Sequence, residues 1–177
     1  VFDRDINLQQ AKEIADRTEG WITGLLLTSP MLKTGLGEPV KITRASGIGL
    51  YEYLAQQVLD QQTDEIREFL LNSSLLEEFD VDMCEKVLGK ALGIHKNWNR
   101  IFKTIVQNNL FVLPVDDEFR WLRYHHLFRD FLQSRLLEAE PEIAEKIKLC
   151  LADYFGEKRD WDKVFDIYRS LGKPQLI

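Results

Sequence analysis

The chain has 177 residues, of which 45% are hydrophobic and 29% charged, and its formal net charge is -6. That length can bury a core in one domain or two small ones, and the composition is that of a globular protein rather than a disordered or fibrous one. The negative balance excludes a chain that coats nucleic acid over its whole surface, while leaving room for a local basic patch.

Cys84 and Cys150 lie far apart and lack a C-x-x-C partner, so they read as two reduced thiols in a cytoplasmic protein rather than a disulfide framework. No apolar run approaches the roughly 20 residues of a membrane-spanning helix. The opening VFDRDINLQQ carries no signal-peptide pattern and no initiator Met, and reads as the start of a piece excised from something longer.

In chain order, Asn7 followed by Gln10 predicts a capped helix start, with Leu8, Ala11, Ile14 and Ala15 at helical spacing. WITGLLLTSPML predicts a second helix that stops near Pro30. The Gly- and Thr-rich stretch from Lys33 to Gly49 reads as a loop, and no Gly-Lys-Ser/Thr closes it into a phosphate loop. LYEYLAQQVLD resumes helix. Thr63 then caps a helix whose first turn carries Asp64 and Glu65, with Ile66, Phe69 and Leu70 facing inward.

Asp80 predicts the cap of a short helix that Gly89 stops. NWNRIFKTIVQNN predicts another, with Trp98, Ile101, Phe102, Ile105 and Val106 at helical spacing. NLFVLPV and FRWLRY read as two strands joined by a short acidic turn, DDE. Helices followed by a hairpin wing is the order of a winged-helix domain. HHLFRDFLQSRLLEAE predicts the next helix, Pro141 opens another, and Asp160 caps a last one in which Trp161, Val164, Phe165 and Tyr168 face one way. The last two form an αα-hairpin, the unit of helical-repeat proteins.

His125 and His126 stand where the second strand gives way to a helix. If the helix has already begun there, a step of ~100° per residue places His125 on the rim of an apolar arc, in line with Arg129. His126 falls on the other side, near Asp130 and solvent. A metal site is the weakest reading, because no His pair stands at i, i+4, no acidic partner lies at ligand spacing, and adjacent ligands point apart on a helix. Arg120, Arg123, Arg129 and Arg135 face Asp130 alone between Phe119 and Leu137, a cationic island at a helix N-terminus that suits an anion. A core-edge histidine and an anion contact both fit this pattern.

YHHLFRDFL resembles the signature that ends the winged helix of STAND nucleotide-switch ATPases, especially their MalT-like, LuxR-type bacterial transcription activators. It also resembles the Met-His-Asp motif of the related plant resistance proteins, with Tyr124, His125 and His126 in the three places. TEGWITGLLL resembles the stretch in which a Gly-x-Pro motif lies against adenine, with Gly20, Trp21 and Ile22 in its positions and Ile22 in place of the Pro. EIREFLLNSSLLEEF and NNLFVLPVDDEFRWLRYHHLF are similar to the same family in wording and order, so the likeness spans nearly the whole chain.

The resemblance implies a mainly α fold in three parts. These are a helical subdomain (1–60) that follows a nucleotide-binding domain, a winged-helix domain (61–139), and the first αα-hairpin (140–177) of a TPR-like sensor domain. It implies that His125 contacts the β-phosphate of ADP and locks the resting state, with Arg129 beside it and Gly20, Trp21 and Ile22 near the adenine. ADP or ATP, with Mg²⁺ beside ATP, would then be ligands of the full-length protein, and none is expected to bind this chain tightly alone. The implied partners are the upstream nucleotide-binding domain, a small-molecule inducer on downstream repeats, further copies of the active protein, and DNA through a domain absent from this chain. No membrane is implied, and the location is cytoplasmic. The P-loop Lys and the acidic Mg²⁺ and catalytic residues are not in this sequence, so no catalytic residue, metal site or ATPase activity is expected of it.

Two other readings compete. In a DNA-binding winged helix, NWNRIFKTIVQNN would be the recognition helix, with only Arg100 and Lys103 as its basic residues. In a scaffold module, the αα-hairpin would bind a partner protein.

Overall fold

Residues 50–173 are described by the computed structural model. The readings made for 1–49, including the two first helices and Gly20, Trp21 and Ile22, lie outside these residues.

Helix α1 (Leu50–Asp60) buries Ala55, Val58 and Leu59. Helix α2 (Asp64–Ser73) begins where expected: Thr63 Oγ1 accepts the Ile66 N–H at 3.5 Å, and Asp64 and Glu65 complement the positive end of the helix. Its inner face is Ile66, Phe69 and Leu70.

Asp80 caps α3 (Val81–Met83), its carboxylate accepting the Met83 N–H at 2.7 Å. The expected stop at Gly89 is not observed. The backbone runs on through a π-helical stretch, Cys84–Gly89, into α4 (Lys90–Leu92). Gly89 keeps helical angles (φ -57°, ψ -46°), and a Cβ there would lie 3.1 Å from the Ile94 carbonyl oxygen. It is glycine for close approach rather than for termination. The left-handed residue that ends the helix is Gly93, at φ 66°.

Helix α5 (Trp98–Gln107) is capped by Asn97 Oδ1, which accepts the Arg100 N–H at 3.1 Å, and it buries Trp98, Ile101, Phe102 and Ile105. The chain then reverses through Asn109 and Phe111, both at positive φ (49° and 55°), into β1 (Val112–Pro114). Strand β2 (Leu122–Tyr124) returns antiparallel, with Val112 opposite Tyr124 and Pro114 opposite Leu122.

The connection is longer than the short DDE turn expected. The Val115 N–H donates to the Trp121 carbonyl at 2.9 Å, and the loop from Asp116 to Arg120 closes on the Asp116 carboxylate. That group accepts the Arg120 and Trp121 N–H groups at 2.8 and 3.2 Å. A further pairing has no counterpart in the sequence reading: Phe79 bridges antiparallel to Leu122, exchanging hydrogen bonds of 2.8 and 3.0 Å.

Helix α6 (His126–Ala139) follows the wing, and α7 (Pro141–Glu157) starts on its proline as predicted. Helix α8 (Trp161–Ser170) is capped by Asp160 and packs on α7, which also lies against α4 and the π-helical stretch. Of the four residues expected on the inner face of α8, Val164 is buried, Tyr168 is half-buried, and Trp161 and Phe165 are exposed at 61% and 46%. The pattern gave the helix correctly and its buried face too broadly, because α7 covers a single stripe of it.

The core is rich in rings. Phe79 meets Phe102 edge-on (5.6 Å between centroids, 84°) and lies 5.1 Å from Tyr124, which in turn meets Phe128 at 6.0 Å. Residues from α2, α5, β2 and α6 thus share one interior, and the architecture is the expected mainly α fold with a winged helix. Cys84 and Cys150 are free thiols, and burial pushes both up from the ordinary thiol value.

One charged contact joins the π-helical stretch to α5. The Glu85 carboxylate accepts the Trp98 indole N–H and lies 2.6 Å from His95 Nδ1. The Trp98 bond, then the His95 bond, holds its carboxyl below the usual range. A carboxyl so lowered in the folded state contributes stability above its ordinary value and loses it as pH falls through the folded one. Urea midpoints of the wild type and Glu85→Gln should therefore differ at neutral pH and converge under acid. A constant gap down to acid pH would show that the charge of Glu85 contributes nothing.

Candidate functional site at the head of helix α6

Strand β2 delivers Tyr124 and His125 to the start of α6. His125 is extended (φ -56°, ψ 133°) and occupies the cap position before the helix begins. Its N–H donates to the Phe111 carbonyl at 2.9 Å, and its own carbonyl accepts the Arg129 N–H at 3.0 Å. The side chain is buried, 5% exposed. The His125 side chain does not cap α6, whose first-turn N–H groups form the positive end of the helix.

The two histidine rings stack, with centroids 4.6 Å apart and planes 28° from parallel. This corrects the helical projection, which set them on opposite sides. The projection gave both residues helical angles, whereas His125 precedes the helix. The inward position of His125 is correct, but the extended step out of β2 produces it. His126 is half-buried rather than solvent-facing.

Arg129 follows one turn into α6. It is half-buried, and its Nε is enclosed without a hydrogen-bond acceptor among the described residues. The structure thus brings His125 and Arg129 together, while Gly20, Trp21 and Ile22 lie outside the described residues.

The cationic island is smaller than the sequence count implied. Arg120 pairs with Asp116 and Glu118 at 3.5 and 3.0 Å, and Arg135 with Glu138 at 3.4 Å while lying over the Phe131 ring. The count ran from Phe119 to Leu137 and missed acids just beyond each end. Arg123, exposed, and Arg129 are what it leaves. No three His, Cys, Asp or Glu side chains converge as a metal site among the described residues. Nor is any helix among them long and apolar enough to cross a membrane.

Two residues that set this corner escaped the sequence reading as a pair. The Tyr124 hydroxyl, fully buried, lies 2.7 Å from Ser73 Oγ, and Ser73 donates in turn to the Phe69 carbonyl at 2.6 Å. With the serine proton committed to Phe69, the tyrosine is the donor between them. Burial raises the phenol well above its ordinary value and keeps it protonated. Gln133 of α6 adds a second tie, its amide donating to the Ser74 carbonyl at 2.7 Å. A partner 51 positions away leaves no local signal in a sequence.

A helical core closed by a two-stranded wing and followed by α6 defines a winged-helix domain. The MalT winged helix domain family matches residues 55–144, just over half of the chain, and the chain belongs to that family. It is 28% identical over 148 residues to the HTH-type transcriptional regulator MalT of Vibrio cholerae, which covers 78% of this chain and 16% of that protein. It is 31% identical over 134 residues to MalT of Klebsiella pneumoniae, covering 73% of the chain and 14% of the relative. It is also 28% identical over 160 residues to the serine/threonine-protein kinase PknK of Mycobacterium tuberculosis, covering 89% and 14%. The chain spans about a sixth or less of these curated relatives. Residues 55–144 are thus a winged-helix domain of the MalT type.

The corner can be tested by removing either end of its buried bond. Ser73→Ala strands the Tyr124 hydroxyl in the core and should cost about 1–3 kcal/mol, whereas Tyr124→Phe removes the group altogether and should cost about 1 kcal/mol. Equal losses in urea unfolding would show that the hydroxyl finds another acceptor.

Proposed function

We propose that this chain is the linking portion of a nucleotide-switch transcription regulator, in which the head of α6 clasps the phosphates of ADP in the resting state. The observation that carries the reading is the placement of His125, buried at the N-terminus of α6 with Arg129 one turn behind it. The donor types suit a diphosphate: first-turn N–H groups, an imidazole and a guanidinium. Nucleotide bound at this edge would be shared with an upstream nucleotide-binding domain, and Gly20, Trp21 and Ile22 would lie toward the adenine. ATP would bring Mg²⁺ held by residues of that domain.

The winged helix would then act as a latch. While ADP is held, the charge of the diphosphate joins α6 to the nucleotide domain. Exchange for ATP, coupled to an inducer on repeats that begin with α7 and α8, shifts the population toward a released, self-associating state. DNA would be contacted by another domain. The name of MalT as an HTH-type transcriptional regulator supports a regulatory setting. Against direct DNA reading by α5, Arg100 is paired with Glu65 of α2, which leaves Lys103 as the remaining cation of that helix.

In the full-length regulator, His125→Ala and Arg129→Ala should each speed ADP release about tenfold, the loss of one hydrogen bond to a charged group. Inducer-free transcription should rise with it. Stopped-flow release of a fluorescent ADP analogue and a reporter assay read the two effects. Release and basal activity both matching wild type would remove the clasp.

A further inference from the structure

A cleft of about 840 Å³ opens between the wing and the α7/α8 hairpin, on a different part of the domain from His125. Its volume lies in the range of small-molecule sites, roughly 300–1,000 Å³. Its floor is apolar and aromatic: Trp121 from the wing, Met83, and Leu151, Tyr154 and Phe155 from α7.

The polar groups around the floor are not balanced. Three lysines border it, and their partners are neutral. Lys148 Nζ reaches Ser170 Oγ at 3.4 Å, Lys158 bonds the Tyr154 hydroxyl and lies over its ring, and Lys163 lies 4.6 Å from the Phe155 ring centre. No carboxylate pairs with any of the three among the described residues.

Most of the acids in the cleft are already engaged. Asp116 holds the wing loop, Asp160 caps α8, and Asp166 pairs with Arg169 at 3.0 Å. Glu77 and Glu78 stand on the segment after α2 rather than on the α7/α8 side. On the α7/α8 wall three lysines thus outnumber Asp160, the one carboxylate there without a cationic partner among the described residues, while Glu77, Glu78 and Asp116 make the facing wall acidic.

The geometry points to a binding site for a small amphiphile with an aromatic or aliphatic body and a single anionic head. The body lies on Trp121 and Phe155, and the head meets Lys158 and Lys163. Glu77 and Glu78 at the other wall select against a second anionic end. Such a ligand touches the wing and the hairpin at once and fixes one against the other. The inference is independent of the nucleotide reading, which concerns the opposite end of β2.

The test uses two dyes on the 177-residue chain: anilinonaphthalene sulfonate and its uncharged counterpart phenylnaphthylamine. The sulfonate should bind at one site under native conditions, with near-UV circular dichroism unchanged. It should bind about tenfold more tightly than the neutral dye and lose about tenfold in Lys158→Gln/Lys163→Gln. Lys158→Arg/Lys163→Arg should retain it, Trp121→Ala should weaken both dyes, and Lys103→Gln/Lys146→Gln, outside the cleft, should change neither. Equal affinity for the two dyes, an equal loss in the outlying lysine pair, or no binding of the sulfonate would each overturn the site.

Discussion

The hydrogen bond from Tyr124 to Ser73 is the constraint around which this domain is organised. It joins the end of β2 to the C-terminus of α2, and both side chains are buried. A hydroxyl taken out of water costs several times what a satisfied bond returns, so the register of β2 is held wherever this donor must find its acceptor. Sliding β2 by one residue would turn Tyr124 outward and Arg123 inward. Two other fixings agree with that register: the Phe79 bridge at Leu122 and the His125 N–H on the Phe111 carbonyl. His125 is buried as a consequence of this pinning, since the strand can end in only one place.

What the sequence made legible follows from the range of the forces involved. The caps at Thr63, Asp80 and Asp160 were readable because each acts on an N–H three residues away. Apolar spacing gave α2, α5 and α6 for the same reason. The π-helical stretch was not readable, because nothing local distinguishes a glycine that ends a helix from one that admits a neighbouring carbonyl. Gly89 is the second kind and Gly93 the first. The Phe79 bridge and the Tyr124 bond cross more than 40 positions and depend on the assembled fold. At the candidate site, the inward face of His125 was found although the helix geometry assumed for it was wrong. Its stacking on His126 could not be found, since it depends on the strand-to-helix step.

Charge in this domain divides into groups that hold the fold and groups that are left over. Asp116 spends its oxygens on the wing loop and on Arg120, and Glu85 spends its own on Trp98 and His95. Exposed pairs such as Lys86–Asp82 and Lys90–Asp153 contribute little to stability, because water and salt screen them. They matter more by removing cations from the surface field. A count of arginines along a segment therefore overstates its pull on an anion. Lysines resting on aromatic rings keep their full charge.

Strand β2 links the cleft to the candidate site at the head of α6. At one end Trp121 borders the cleft beside α7 and α8, and at the other His125 begins α6. Between them Leu122 is bonded to Phe79 and Tyr124 to Ser73, so the strand is held on both sides along its short length. A segment tied this way has no second packing to adopt, and a bistable element is what carries coupling between sites. Any influence of one end on the other must therefore pass through rigid-body motion of the whole winged helix against its neighbours.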